Sequence, residues 1–291
     1  MIALKNNSIM LSCAIILTVL LVSAAITSGF AAGGGGVTVP KQSWTFNGFF
    51  GTYDKAQLQR GFQVYKEVCA ACHGMKYLSY RNLGESGGPG FSEAQIKSIA
   101  AEYEVKDGPN DEGELFERPA RPSDRFISPF ANEQEARAAN NGAYPVDFST
   151  IAKARNAAHN TPMYLEPFKW VKDIVTGYQE AGPDYIHSLL TGYVDPPKKF
   201  QLGDGMYYNK YYPGHQIAMA APLSDELVEY SDGSPQTVEQ YSRDVTAFLM
   251  WAADPKLEER KIIGFNVLLY LIVFSVILYL AKQRVWANAK H

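Results

Sequence analysis

The string Cys69-Ala70-Ala71-Cys72-His73 constrains this chain more than any other feature of its 291 residues. Two thiols at this spacing can each add to one vinyl group of a porphyrin, while the adjacent imidazole supplies a nitrogen to the iron. Cys-x-x-Cys-His is the attachment sequence of a c-type haem. A thioredoxin-like redox pair does not require the histidine. A zinc half-site would need further ligands that no second cysteine pair supplies, because Cys13 is the one other cysteine. The expectation is one haem c, bound covalently through Cys69 and Cys72, with His73 on the iron.

Two apolar segments frame the chain. Ile9 to about Ile26 follows a single basic residue, Lys5, and precedes Gly29, Phe30, Ala31 and Ala32. A basic start, an apolar stretch and a small-residue exit read as a secretory leader over residues 1–31 that carries Cys13 away. The second segment, Ile262 to Leu280, is 19 residues without a charge, followed by Lys282, Arg284 and Lys290. That length spans a bilayer, and basic residues mark the cytoplasmic side. The expected organisation is a periplasmic haem domain over 32–260, a transmembrane helix over 261–281 and a cytoplasmic tail over 282–291. Such a chain is held to a membrane, in contact with lipid, with its body exported and its tail inside. The body between the segments holds all 30 acidic residues against 22 of the 27 basic ones, a net −8. A body of that sign does not suit nucleic acid.

Lys55 to Val68 reads as a helix, with Asp54 as cap and Leu58, Phe62, Tyr65 and Val68 along one face, ended by Gly74. A late helix is expected from about Ser234 and Pro235 to Ala252, Ser-Pro being a good helix start. Between them lie loops rich in Gly, Pro and Tyr. The fold class is mainly α. The second axial ligand decides between electron transfer and chemistry on a small molecule. Candidates are Met75, Met163, Met206, Met219 and Met250, with His159, His187 and His215. Met75 lies too near His73 to reach the opposite face, and Met250 has the spacing of a core residue. Met219 stands in the irregular segment Pro213 to Pro222, suited to wrapping a flat cofactor; the pattern alone leaves His215 as its rival.

Several ordered blocks carry a resemblance to cytochrome c1, the haem subunit of the cytochrome bc1 complex, in its bacterial form. They are Cys69-Ala-Ala-Cys-His73-Gly-Met-Lys, Asp107-Gly-Pro-Asn110, Ala136-Arg-Ala-Ala-Asn140-Asn-Gly-Ala143, Ala154-Arg155, and Asp184-Tyr185-Ile-His-Ser-Leu189-Leu190-Thr-Gly-Tyr193. The Met219 segment and Thr246 to Ala253 complete them. The resemblance implies a class I cytochrome c-like haem domain with long loop insertions and one C-terminal transmembrane helix. It implies Met219 as the sixth ligand, a haem pocket lined by Asn140, Ala143, Pro145, Ile151, Tyr185, Leu189 and Leu190, and Arg155 facing a propionate. Val146 stands where the family's pattern has a second proline, and Asn156 to Gly182 looks longer than in mitochondrial members.

The function so implied is electron transfer, from a Rieske iron–sulfur protein to a soluble cytochrome c, beside cytochrome b and without a reaction of its own. A stand-alone anchored cytochrome feeding an oxidase, and an enzyme or sensor with an open haem position, are the other readings. Glu102 to Glu117 holds seven acidic residues against Lys106, a net −6, and is expected to steer a basic cytochrome c.

Overall fold

The computed structural model describes residues 37–155 and 181–287, with 163–165, 167, 168 and 172 between them. The leader, Cys13, His159, most of the insertion from Asn156 to Gly182, and Lys290 lie outside the described residues.

Asp54 caps the first helix, α1 (Lys55–Val64), its carboxylate accepting from the amides of Ala56 and Gln57. The helix widens into a π turn over Tyr65–Cys69, where the Ala70 amide reaches back five residues to the Tyr65 carbonyl. Helical backbone therefore stops at Cys69 and not at Gly74, and a tight turn places Cys72 and His73, whose amides both donate to the Cys69 carbonyl. After a 3-10 turn at Tyr80–Gly84 comes α2 (Glu93–Ala101), opened by a reciprocal cap between Ser92 and Gln95. The acidic segment then forms a hairpin, β1 (Glu104–Asp107) antiparallel to β2 (Phe116–Pro119). Its turn is shaped by Asn110, whose side-chain oxygen accepts from the amides of Glu112 and Glu114. Short helices α3 (Glu133–Ala139) and α4 (Ile151–Ala154) follow. Beyond Met163–Leu165, a 3-10 turn, lies α5 (Ala181–Thr191). A two-residue pairing, β3 (Tyr207–Tyr208) with β4 (Gln216–Ile217), precedes α6 (Val238–Ala253) and α7 (Leu257–Trp286).

The core forms where α6 packs against α1, α5 and α4. Tyr241, Val245, Phe248 and Trp251 of α6 are buried against Leu58 and Phe62 of α1. Phe248 meets Phe62 edge-on at 5.6 Å and Tyr65 at 5.8 Å. Met250 and Met75 are buried in this core, as the spacing of the first and the position of the second suggested. The late helix begins three residues after Pro235: Thr237 is its cap, accepting from the Gln240 amide, and Asp225 accepts from Val238. Thr-x-x-Gln is a capping pattern in its own right, and it outcompetes Ser-Pro here. One buried ion pair crosses the α1–α6 contact, Arg60 to Asp244 at 2.8 Å, and Gln57 and Gln240 fill the remaining acceptor positions of that carboxylate.

Helix α7 follows α6 after three residues. At 30 residues it is about 45 Å long, ample for a hydrocarbon core of about 30 Å. None of its apolar stretch is buried within the chain.

Candidate haem site

The attachment turn is laced to a distant segment, residues 146–149, by four hydrogen bonds. His73 Nδ1 lies 2.7 Å from the Val146 carbonyl, and the Phe148 amide donates to the Gly74 carbonyl at 2.8 Å. The Lys76 amide donates to Asp147 and the Tyr77 amide to Ser149 Oγ, both at 3.0 Å. A carbonyl only accepts, so Nδ1 carries the proton and Nε2 keeps its lone pair. Phe148 stacks on the imidazole, centroids 4.0 Å apart and planes 13° from parallel, and the Tyr65 hydroxyl donates to the His73 carbonyl. Burial lowers the pKa of His73, outweighing the Val146 bond and the Asp147 charge that act the other way. The residue is thus a neutral imidazole, fixed in orientation, with Nε2 available: the form in which histidine binds a metal.

The cysteines fit the same purpose. Cys69 is half-buried at the end of the π turn, and Cys72 is exposed one turn on. Desolvation pushes the Cys69 thiol up to about 12. A redox-active pair is marked by a thiol lowered toward neutrality, and Cys69 is shifted the other way. Histidine with one nitrogen held, and two cysteines on one turn beside it, match the requirements of covalent haem.

The remaining site residues come from four elements. Asn140 ends α3, its amide group donating to the Ala136 carbonyl at 2.7 Å; Ala143 and Pro145, both half-buried, follow in the loop that leads to Val146. Ile151 is buried at the start of α4, and Arg155 directly follows that helix. Tyr185 is buried on α5, close enough to Arg155 for the guanidinium to oppose the rise that burial imposes on its phenol. Leu189 and Leu190 are half-buried at the other end of α5. Asn209 donates to the Leu189 carbonyl at 2.8 Å, tying α5 to the β3–β4 region.

Among the candidate axial ligands, Met219 lies just after β4, half-buried, its carbonyl accepting from the Tyr193 hydroxyl at 3.0 Å. His215 stacks on Tyr208 at 5.5 Å, and its Nδ1 lies 3.2 Å from the Asn209 carbonyl. His187 is buried between α5 and α6, where Nδ1 bonds Ser242 and Nε2 lies 3.3 Å from Glu239. It is a core residue. Met206 is 39% exposed. Three participants escape sequence reasoning: Phe148, Tyr65 as partner of the His73 carbonyl, and the Val146 carbonyl. A stacking ring and a main-chain acceptor 73 residues away from His73 leave no spacing signal.

In the acidic hairpin, Glu102 is bridged to Lys66 at 2.6 Å, and Asp107 is paired with Arg118, which also holds Asp124. Glu104, Asp111, Glu112, Glu114 and Glu117 are exposed, and Leu115 and Phe116 are exposed among them.

Residues 44–289 match the Cytochrome C1 family. The chain is 47% identical to cytochrome c1 of Blastochloris viridis, covering 92% of this chain and 95% of that one. It is 44% identical to cytochrome c1 of Rhodospirillum rubrum, covering 92% and 94%. Against a Bradyrhizobium diazoefficiens protein named cytochrome b/c1 the identity is 52% over 86% of this chain; there the chain spans only 36% of the relative's length. With its attachment sequence on a helix-ending turn, a neutral His73 held at Nδ1 and matches along almost its whole length, the chain belongs to the cytochrome c1 family.

Proposed function

We propose that the chain is the electron-carrying subunit of a bc1-type quinol–cytochrome c oxidoreductase, taking single electrons from a Rieske iron–sulfur protein and passing them to a soluble cytochrome c. The observation that carries this is the fixed imidazole of His73 on the Cys69–Cys72 turn. A main-chain carbonyl at Nδ1 would keep that ring in one orientation toward a bound iron. Bound haem supplies a reversible one-electron change at iron. Cys69 and Cys72 would hold the macrocycle by thioethers, and His73 would offer Nε2 to its iron. Met219 would be its second protein ligand; in support, Met75, Met250 and His187 are committed to the core. Two protein ligands would close the iron to small-molecule substrates. Asn140, Ala143, Pro145, Ile151, Tyr185, Leu189 and Leu190 supply the surrounding wall, and Arg155, permanently charged, pairs with a propionate.

Helix α7 anchors the domain in a bacterial inner membrane. The leader and the basic tail, Lys282 and Arg284, support a periplasmic haem domain over 32–260 and a cytoplasmic tail from 282. Cytochrome b is its neighbour in the membrane, a reading supported by the relative whose name joins b and c1. The exposed carboxylates of the hairpin face a basic cytochrome c. Mild solubilisation and affinity purification test the assignment: a b-type haem spectrum and the electron paramagnetic resonance of an iron–sulfur centre should co-purify. A chain that emerges alone and fully haem-loaded would be a stand-alone anchored cytochrome. Carbon monoxide binding by the reduced haem would mean an open axial position.

A further inference from the structure

Phe49 and Phe50 are exposed, Phe50 by 76% of its surface, yet they lie against another exposed ring. Phe265, on α7, is 6.2 Å from Phe49 and 5.7 Å from Phe50, and the two loop rings are 5.6 Å apart. Phe265 is the fourth residue of the uncharged stretch that begins at Ile262, which puts it about 5 Å along the helix axis beyond its start. The loop is clamped there. Lys261 Nζ donates to the carbonyls of Phe46 at 2.7 Å and Gly51 at 3.0 Å, the two ends of the tip. Glu258 accepts from the Tyr53 amide at 2.7 Å, and the Thr52 amide donates to the Thr45 carbonyl. A Cβ on Gly51 would lie 2.0 Å from the Asn47 carbonyl oxygen, so only glycine closes the turn this tightly. Trp44, Phe46 and Tyr53, on either side, are buried in the haem domain.

From this arrangement we infer that the tip Asn47–Phe50 is a second membrane contact, inserting its two phenylalanines among the lipid headgroups and upper acyl chains beside α7. This rests on α7 spanning the bilayer. The occupant is lipid because the aromatic pair is continuous with the bare surface of the spanning helix, where Ile262 and Phe265 are exposed too. It also sits at the depth where aromatic rings collect, within the roughly 5–10 Å that interfacial segments penetrate. Two attachments, one spanning and one inserted, fix the tilt of the haem domain over the membrane, which a single helix joined by a free linker would not.

The test places a nitroxide at Phe50→Cys in the full-length, haem-loaded chain, purified with its accompanying subunits and reconstituted in phosphatidylcholine vesicles. The haem is kept ferrous so that it does not relax the label. Collision with oxygen, which partitions into lipid, is compared with collision with a water-soluble nickel chelate. Labels at Phe265→Cys and Glu112→Cys are the lipid and water references, and Phe49→Cys serves if Phe50→Cys does not mature. Position 50 should follow position 265, with oxygen favoured. A water-like result at 50 with a lipid-like result at 265 overturns the inference and leaves the anchor standing; shielding from both reagents puts protein on the patch and equally overturns it. A water-like result at 265 removes the anchor and the inference with it.

Discussion

Gly61→Ala tests the contact on which the haem-bearing helix rests. A Cβ on Gly61 would lie 2.1 Å from the Asp244 carbonyl oxygen and 2.7 Å from both its carbonyl carbon and Phe248 Cβ, against a comfortable separation of about 3.5 Å. The nearest obstacle is main chain of α6 and cannot swing aside, so α1 must move off α6 by roughly 1.4 Å, the shortfall in that separation. Overpacking of this kind costs about 3 kcal/mol, the upper part of the usual range. Alanine's better helix propensity returns about 1 kcal/mol. The balance is a loss of about 2 kcal/mol, or a midpoint lowered by roughly 4–8 °C for a domain of this size. Thermal unfolding of the haem-loaded protein in detergent, followed by far-ultraviolet circular dichroism, measures it. A midpoint equal to or above that of the parent would refute the close crossing, since only the propensity gain would then be acting.

Met219→His should lower the midpoint potential, because a thioether favours reduced iron relative to a nitrogen donor; redox titration reads the shift, and an unmoved potential removes Met219 from the iron. Replacing Glu104, Asp111, Glu112 and Glu114 by their amides, while leaving Glu102 on Lys66, should slow reduction of a basic cytochrome c at low salt. Stopped-flow rates of variant and parent should converge as salt rises and the screening length falls to about 8 Å; equal rates at low salt would make the hairpin a solvated loop. Burial keeps His187 below the ordinary histidine range and hence neutral in the folded state, in spite of Glu239 and Asp184, with Arg243 adding to the shift. As pH falls through about 6.5 the unfolded chain takes up the proton first and stability drops; His187→Gln should flatten that part of the stability–pH curve, and an unchanged slope would rule it out.

What could be read from residues alone was whatever is local. The cap at Asp54, the burial of Met250 and the exposed apolar stretch after Lys261 follow from short-range pattern, and the structure has all three. The start of α6 was misplaced because two capping signals compete within four residues, and only the packing of Asp225 against Val238 selects between them. The helical span Lys55 to Val68 is met to within one residue, but its terminator is not Gly74: the π turn releases the helix five residues earlier, and the geometry of a widened turn has no compositional mark. The acidic run gave its charge but not its hairpin, nor that Lys66 and Arg118 neutralise two of its carboxylates. Around the haem, the cysteines and histidine announce themselves by spacing, whereas Val146 and Phe148 act through a carbonyl and a ring face that come from far along the chain.

The partner of His73 Nδ1 is a main-chain carbonyl, and every amino acid has one, proline included. Valine and proline at 146 are therefore interchangeable in this respect: the hydrogen bond survives any replacement that leaves the path of the loop alone. A side-chain acceptor would be lost or altered by a single codon change, and the electronic character of the iron would drift with it. Here the property is inherited through loop shape, held by the Phe148–Gly74 pairing and the Asp147 and Ser149 contacts. The hydrogen bond at this ligand is thereby exposed to insertions and deletions between residues 77 and 146 and not to the identity of residue 146.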